Sequence, residues 1–338
     1  MLHENNVENI LESLRGRRVL VAGDLILDHY LSGSVERISP EAPVPIVSLR
    51  DEGERWVPGG AANVARNVGS LGGVPVMAGV RGADREGEML ERFLAESGVD
   101  VSGIVTDPSR PTTSKTRIMA GGHQLIRLDR ETTRTIDGGT SALLRDRIAS
   151  SLPSVDAVIL QDYNKGVLHP ALVSALVPLA RGAGLPVAVD PKFENFFSFE
   201  GCTLFKPNRL ETSRALGRTI ATMEEASGAA LEILRRLGAG AVLITLGEQG
   251  SVLVREGCRP FHTPTAARRV YDVSGAGDTV IAVMGMGLAA GLPLEETVVL
   301  SSYAAAATCA EPGVYAVRPE DVVREVANRA AGEGADLD

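Results

Sequence analysis

Short apolar runs alternate with stretches of helical period through most of the chain. Val19–Gly23, Val74–Val80, Ala157–Gln161, Pro186–Val189 and Ala241–Thr245 predict strands. Between and after them, Arg85–Ser97, Ser141–Ser151 and Glu224–Leu237 carry helical periodicity. Apolar strands separated by helices predict an α/β protein whose parallel sheet is sandwiched by helices on both faces. Ligands of such sheets bind beyond the carboxyl ends of the strands, so the polar motifs there are the candidates for a site. Ahead of the first strand, Val7, Ile10, Leu11 and Leu14 predict a short amphipathic helix.

Two stretches break this rhythm. Leu25–Val57 and Thr112–Asp129 read as antiparallel strands with turns, and Pro40, Pro43 and Pro45 suit edge or turn positions. Together they predict one small β-sheet that projects from the main body as a lid over a site, a dimer surface, or both. The expected organisation is one domain over residues 1–338 with insertions near 25–57 and 112–129. Only the terminal GEGADLD looks like a frayed tail.

Charge narrows the function. A formal net charge of −9 argues against a general nucleic-acid binder, which needs a basic face. Cys202, Cys258 and Cys309 are odd in number, scattered and without metal-ligand spacing, as in a reduced cytoplasmic chain. The N-terminal MLHENNVENILESLRGRR lacks the apolar stretch of a signal peptide. The longest apolar region, Val280–Leu292, is glycine-rich and too short to span a bilayer. A soluble protein with no membrane partner is expected.

The sharpest chemical motif is DVSGAGDT, Asp272–Thr279, ahead of an apolar helical stretch. Gly275, Ala276 and Gly277 let backbone N–H groups converge on an anion at a helix start. A carboxylate beside that anion, Asp278, has a reason to be there if it is a general base for an attacking hydroxyl; an ordinary Asp in a first helical turn is the alternative. In WVPGGAANVARNVGSLG, Gly59 and Gly60 permit a tight turn, and Asn63 either binds a ligand hydroxyl or satisfies the helix start. VAGDLILD carries two carboxylates, Asp24 and Asp28, at the mouth of the sheet, placed to bind vicinal hydroxyls or to serve as turn or cap residues, and no G-x-G-x-x-G follows. In KPNRLE, Asn208 and Glu211 share a helical face, where they either order water around Mg²⁺ and phosphate or form a capping box. TLGEQG places Thr245 and Gly247 after a strand, at a nucleotide or in a plain turn. There is no Walker A motif, no protein-kinase signature and no H-E-x-x-H.

In order along the chain, GD…D, PGGAANVA, NxxE, TLGxxG and DxxGAGDT resemble the ribokinase-like (PfkB-type) sugar kinases from about Val19 to about Glu320. Within that superfamily RISPEAPVPI, PGGAANVARN, QLIRLD, QDYNKG, VDPK and VYDVSGAGDTV are similar to the bacterial D-glycero-D-manno-heptose-7-phosphate kinases. The resemblance implies a ribokinase-like, Rossmann-type domain with a β-lid that uses ATP and Mg²⁺ to phosphorylate the anomeric hydroxyl of a heptose phosphate, and the exposed strand edges of the lid predict pairing as a homodimer. It implies Asp278 as base and the amides of Gly275–Asp278 as anion hole. Asn208, Glu211 (to Mg²⁺ through water), Thr245, Gly247 and Ser302 then face ATP, with Ser302 standing where relatives often have Asn. Asp28, Gly59, Gly60, Asn63 and Asp162 then hold the sugar, and Asp272 matches a position that supports a monovalent cation such as K⁺ in some relatives. For the substrate's own phosphate, Arg37, Lys115, Arg117, Arg127, Lys165 and Lys192 are candidates, with Arg127, Lys165 and Lys192 first. Many heptose kinases are fused to a nucleotidyltransferase domain; this chain is expected to be a kinase alone. A kinase for fructose, ribose or their phosphates is the alternative, and a non-catalytic sugar or nucleotide sensor is a more distant one.

Overall fold

The computed structural model describes residues 4–335. The strands are β1 (Arg18–Ile38), β2 (Pro45–Gly60), β3 (Val74–Gly82), β4 (Asp100–Asp107), β5 (Thr113–Ala120), β6 (His123–Arg130), β7 (Ala157–Gln161), β8 (Val187–Asp190), β9 (Leu204–Phe205), β10 (Ala241–Thr245), β11 (Ser251–Val254) and β12 (Phe261–Thr263). The helices are α1 (Glu4–Leu14), α2 (Ala61–Ser70), α3 (Arg85–Glu96), α4 (Gly138–Ser151), α5 (Pro170–Gly182), α6 (Arg209–Leu216), α7 (Met223–Leu237), α8 (Ala276–Ala290), α9 (Leu294–Cys309) and α10 (Pro319–Ala335).

The main sheet runs β12-β11-β10-β9-β8-β7-β1-β3-β4, parallel from β10 to β4, with β11 and β12 added antiparallel at one edge. Alternate residues of each strand enter opposite cores, as the pleat requires. Val19 and Val21 pack with α1, α2, α8, α9 and α10, whereas Leu20 and Ala22 pack with α4, α5 and α7. This is the expected ribokinase-like sandwich. Helix starts follow local chemistry. α4 begins ahead of the expected Ser141 because the Asp137 side chain accepts from the N–H of Gly139 and Thr140. Gly332–Ala335 lie in α10, against the expected frayed tail; residues 336–338 are outside those described.

The two irregular stretches form a second sheet, ordered β2-β1-β5-β6. Pairing into this sheet starts at Leu25, opposite Gly60, and at Ile26, opposite Thr113. β1 continues unbroken from the main sheet into the second one, because no turn residues interrupt VLVAGDLILDHYL. Pro40 and Pro43 fall in the connection to β2, and Pro45 opens that edge strand.

Candidate active site

The site forms at the carboxyl ends of β7, β8 and β10, where α8 begins. Gly275 precedes that helix at φ 85°, a left-handed conformation glycine adopts freely. No side chain caps α8, and its first-turn N–H groups have no partners inside the helix. Ala276 N–H reaches Val273 O at 3.3 Å, which leaves the amides of Gly277 and Asp278 for an anion at the positive end of the helix.

Asp278 is 4% exposed and accepts three hydrogen bonds. The Tyr163 hydroxyl donates to Oδ1 at 2.7 Å, Gln161 Nε2 to Oδ1 at 3.2 Å, and Asn63 Nδ2 to Oδ2 at 2.9 Å. Burial pushes its carboxyl up to about 6; the Asn63 and Tyr163 bonds oppose this, as does Lys206, while Asp190 adds to it. The group is therefore ionised at neutral pH yet still basic enough to take a proton. Asn63 was expected at the sugar. Instead it is fully buried and holds the carboxylate, steadied by Asn67, whose Nδ2 donates to Asn63 O at 3.0 Å. Tyr163 and Gln161 were not singled out in the sequence, although both lie in QDYNKG.

Beside Asp278 opens a cleft of about 950 Å³, whose lining includes Asn208, Thr245, Gly247, Ser302 and Gly275–Asp278. Asn208 caps α6 in a capping box: its side chain accepts Glu211 N–H, and Glu211 Oε2 accepts Asn208 N–H at 2.9 Å. Glu211 Oε1 accepts from Lys192, whose Nζ lies 4.9 Å from the Tyr163 ring centroid. Burial disfavours the Lys192 charge, but Asp190 and Glu211 outweigh it and raise its pKa. Lys206, not chosen from the sequence, is 2% exposed and pairs with Asp190 at 3.1 Å. Two lysines and free amides around one cleft suit a polyphosphate. A metal held by protein alone does not fit. Glu211 and Asp190 are each paired to a lysine, and among the described residues no three His, Cys, Asp or Glu side chains converge. A divalent ion here must take most of its oxygens from phosphate and water. Asp272 accepts the N–H of Ser274 at 2.8 Å and of Gly313 at 3.1 Å, so it braces its loop.

Across Asp278, the inner face of the second sheet presents Asp28, which is ion-paired to Arg117. Burial raises the Asp28 carboxyl and Arg117 opposes this. A Cβ on Gly59 would stand 2.0 Å from Asp28 Oδ2 and so would displace that carboxylate; Gly60, at φ 58°, then turns the chain into α2. The cations expected to meet a phosphate divide. Arg127 donates twice to Asp129, and Lys165 pairs with Glu131, which also accepts from Lys115. Lys192 lies apart from them, on the cleft side with Glu211, and Arg37 is exposed towards the far end of β1. Asp162 is not open to a substrate: it is 1% exposed and accepts Asn164 N–H at 2.7 Å.

The sequence matches the pfkB family carbohydrate kinase pattern over residues 18–321. The chain belongs to this family. Bifunctional protein HldE of Syntrophotalea carbinolica is 39% identical over 330 residues, covering 97% of this chain and 67% of the relative. Bifunctional protein HldE of Caulobacter vibrioides is 40% identical over 337 residues, covering 99% and 68%. The chain thus spans about two thirds of the length of these curated relatives. Among solved structures, Arabidopsis thaliana ribokinase complexed with ribose and ATP superposes at TM-score 0.70, with 20% identity over 92% of this chain and 99% of that one. Phosphofructokinase-2 from Escherichia coli in complex with fructose-6-phosphate gives 0.73, with 22% identity over 94% and 99%. These two show the shared fold. The ribokinase-like recognition is borne out, and this pfkB family member is a carbohydrate kinase. Among the described residues no helix is long and apolar enough to cross a membrane.

Proposed function

We propose that Asp278 takes the proton of a sugar hydroxyl as that oxygen attacks the γ-phosphorus of ATP. The new O–P bond forms as the bond to the β-phosphate oxygen breaks, and ADP leaves with that electron pair. The observation that carries this reading is a buried carboxylate, fixed by three donors, on the first turn of an uncapped helix. Gly277 and Asp278 amides then meet the transferred phosphoryl group, Lys206 and Lys192 offset charge in the cleft, and Asp28 with Arg117 orients the acceptor. Mg²⁺ bound to the nucleotide would supply further charge neutralisation, with Glu211 reaching it through water, and Asp272 would be the residue to hold a monovalent cation such as K⁺. Asp278→Asn is expected to lower kcat by about 10²–10⁴-fold, the usual worth of a general base, with ATP affinity nearly unchanged. Turnover near that of wild type would remove Asp278 from the mechanism.

The acceptor we assign is D-glycero-D-manno-heptose 7-phosphate, phosphorylated at its anomeric hydroxyl to the 1,7-bisphosphate, a step towards the nucleotide-heptose precursors of surface polysaccharide in the cytoplasm. RISPEAPVPI and QLIRLD support this, as do relatives named HldE. So does the sugar side of the site, where Lys115, Arg117, Arg127 and Lys165 outnumber Asp28, Asp129 and Glu131. Two chains are proposed to pair through the second sheet, whose Ile38, Leu49, Ile126 and Leu128 are about half exposed or more.

A further inference from the structure

The segment that carries Tyr163 is pinned by two buried carboxyl groups that take no part in the steps above. Asp24 lies on β1 at the carboxyl edge of the main sheet and is fully buried. Its Oδ2 accepts the N–H of Tyr163 at 2.7 Å and of Lys165 at 3.1 Å, and its Oδ1 accepts that of Val167 at 3.3 Å. Asp162, whose carboxyl Asp24 pushes up, accepts Asn164 N–H at 2.7 Å and the Asn195 amide at 3.3 Å. Burial raises both carboxyls, and Asp24's charge helps lift Asp162 to about 7, while three N–H groups and the Arg110 guanidinium oppose the rise at Asp24. Arg110 also donates to Lys165 O, clasping the segment from outside. Asn164 is held at φ 55°, a conformation that needs such support in a residue other than glycine. What this clamped segment presents is the Tyr163 hydroxyl, 2.7 Å from Asp278 Oδ1.

We propose that Asp24 and Asp162 together clamp the segment that positions Tyr163, and through Tyr163 set the orientation and basicity of Asp278. The inference rests on reading Asp278 as the base. Other groups that face Asp278 are Asn63 from α2, Gln161 from β7, Asp190 from β8, Lys192 after it and Lys206 ahead of α6; of these, Asp190 bonds to the pair, its backbone O accepting Asp162 N–H at 3.0 Å. Asp24 and Asp162 are therefore positioning residues.

The test is a double-mutant cycle on phosphoryl transfer, with Asp24→Asn, Tyr163→Phe and the two combined, each assayed for kcat, both KM values and the acid limb of the pH profile. Removing a hydrogen bond to a charged group is expected to lower kcat by about 10- to 100-fold. Loss of the phenol donor should also move the acid limb upward in both single variants, with KM for ATP unchanged. The combined variant should be no slower than the slower single one, because both act through one contact. Asp162→Asn, whose amide oxygen can still accept Asn164 N–H, should retain more activity than Asp162→Ala; this contrast stands even if Asp24→Asn does not fold. Losses that multiply in the combined variant would overturn the proposal. So would an Asp24→Asn enzyme that melts earlier yet keeps the wild-type kcat and acid limb. Should Asp278→Asn itself keep turnover, the base reading falls; should Asp278→Asn be inactive while Asp24 and Tyr163 are silent, only the pair falls.

Discussion

Replacing Asp278 by Asn should make the protein gain stability relative to wild type as pH rises through about 6, while it removes activity. In the fold this carboxyl is pushed from 3.8 to about 6, chiefly by burial. At about 1.36 kcal/mol per pH unit, keeping it ionised costs the folded state about 3 kcal/mol. The sign follows from linkage. A carboxyl whose folded pKa lies above its unfolded value binds its proton more tightly in the fold. Its contribution to stability is full below 3.8 and is lost as pH rises through 6. Asn cannot ionise and escapes that loss. The stability gap between variant and wild type should thus be about 3 kcal/mol larger at pH 8 than well below 3.8, and about half of this should be gone by pH 5. Asn also spoils hydrogen bonds with Asn63, Tyr163 and Gln161, but that penalty is nearly independent of pH and drops out of the comparison. Urea denaturation of both proteins at pH 8, 6.5 and 5 measures the gap. A gap that does not change with pH would mean that Asp278 does not titrate as described, and its role as a poised base would go with it.

Other outcomes follow from the same geometry. In wild type, kcat/KM should fall about tenfold per pH unit below about 6, as the base is protonated; a profile flat to pH 5 would contradict this. Lys192→Ala should penalise phosphorylated and free sugars alike, because Lys192 sits with Glu211 in the cleft, whereas Arg127→Ala should weaken kcat/KM about tenfold on the phosphorylated sugar alone. Parallel acceptor assays separate the two, and the reverse pattern would relocate the phosphate. Leu128→Asp, on the exposed second sheet, should turn a dimer into a monomer by light scattering without unfolding it; a wild-type monomer would remove the dimer.

The central sheet and the start of α8 were legible because their causes are local. Apolar runs such as Ala157–Gln161 and Ala241–Thr245 coincide with β7 and β10, and a glycine turn before an apolar helix exposes its own amides wherever it folds. Contacts made across the chain were not legible. QDYNKG offered Asp162, Tyr163 and Lys165 in one run, and only the path of the folded segment turns Tyr163 to the base and Asp162 into the interior. The Asn63 side chain could not be assigned for the same reason, since its partner is 215 residues away. The Arg127–Asp129 pair was within reach, because residues two apart on a strand share a face. Lys165–Glu131 and Lys192–Glu211 depend on loops and helices that meet only in the fold.

The most direct measurement is coupled ADP release by the purified wild-type chain, with ATP and Mg²⁺, against a panel of acceptors: D-glycero-D-manno-heptose 7-phosphate, the free heptose, fructose, ribose and their phosphates. The expected result is that heptose 7-phosphate gives the highest kcat/KM, with one new phosphate on the anomeric oxygen by ³¹P NMR, and that activity is lost in Asp278→Asn. Good activity on a free hexose or pentose with none on the phosphorylated heptose would contradict the assignment of the acceptor. ADP release that no sugar stimulates would contradict the proposed transfer itself.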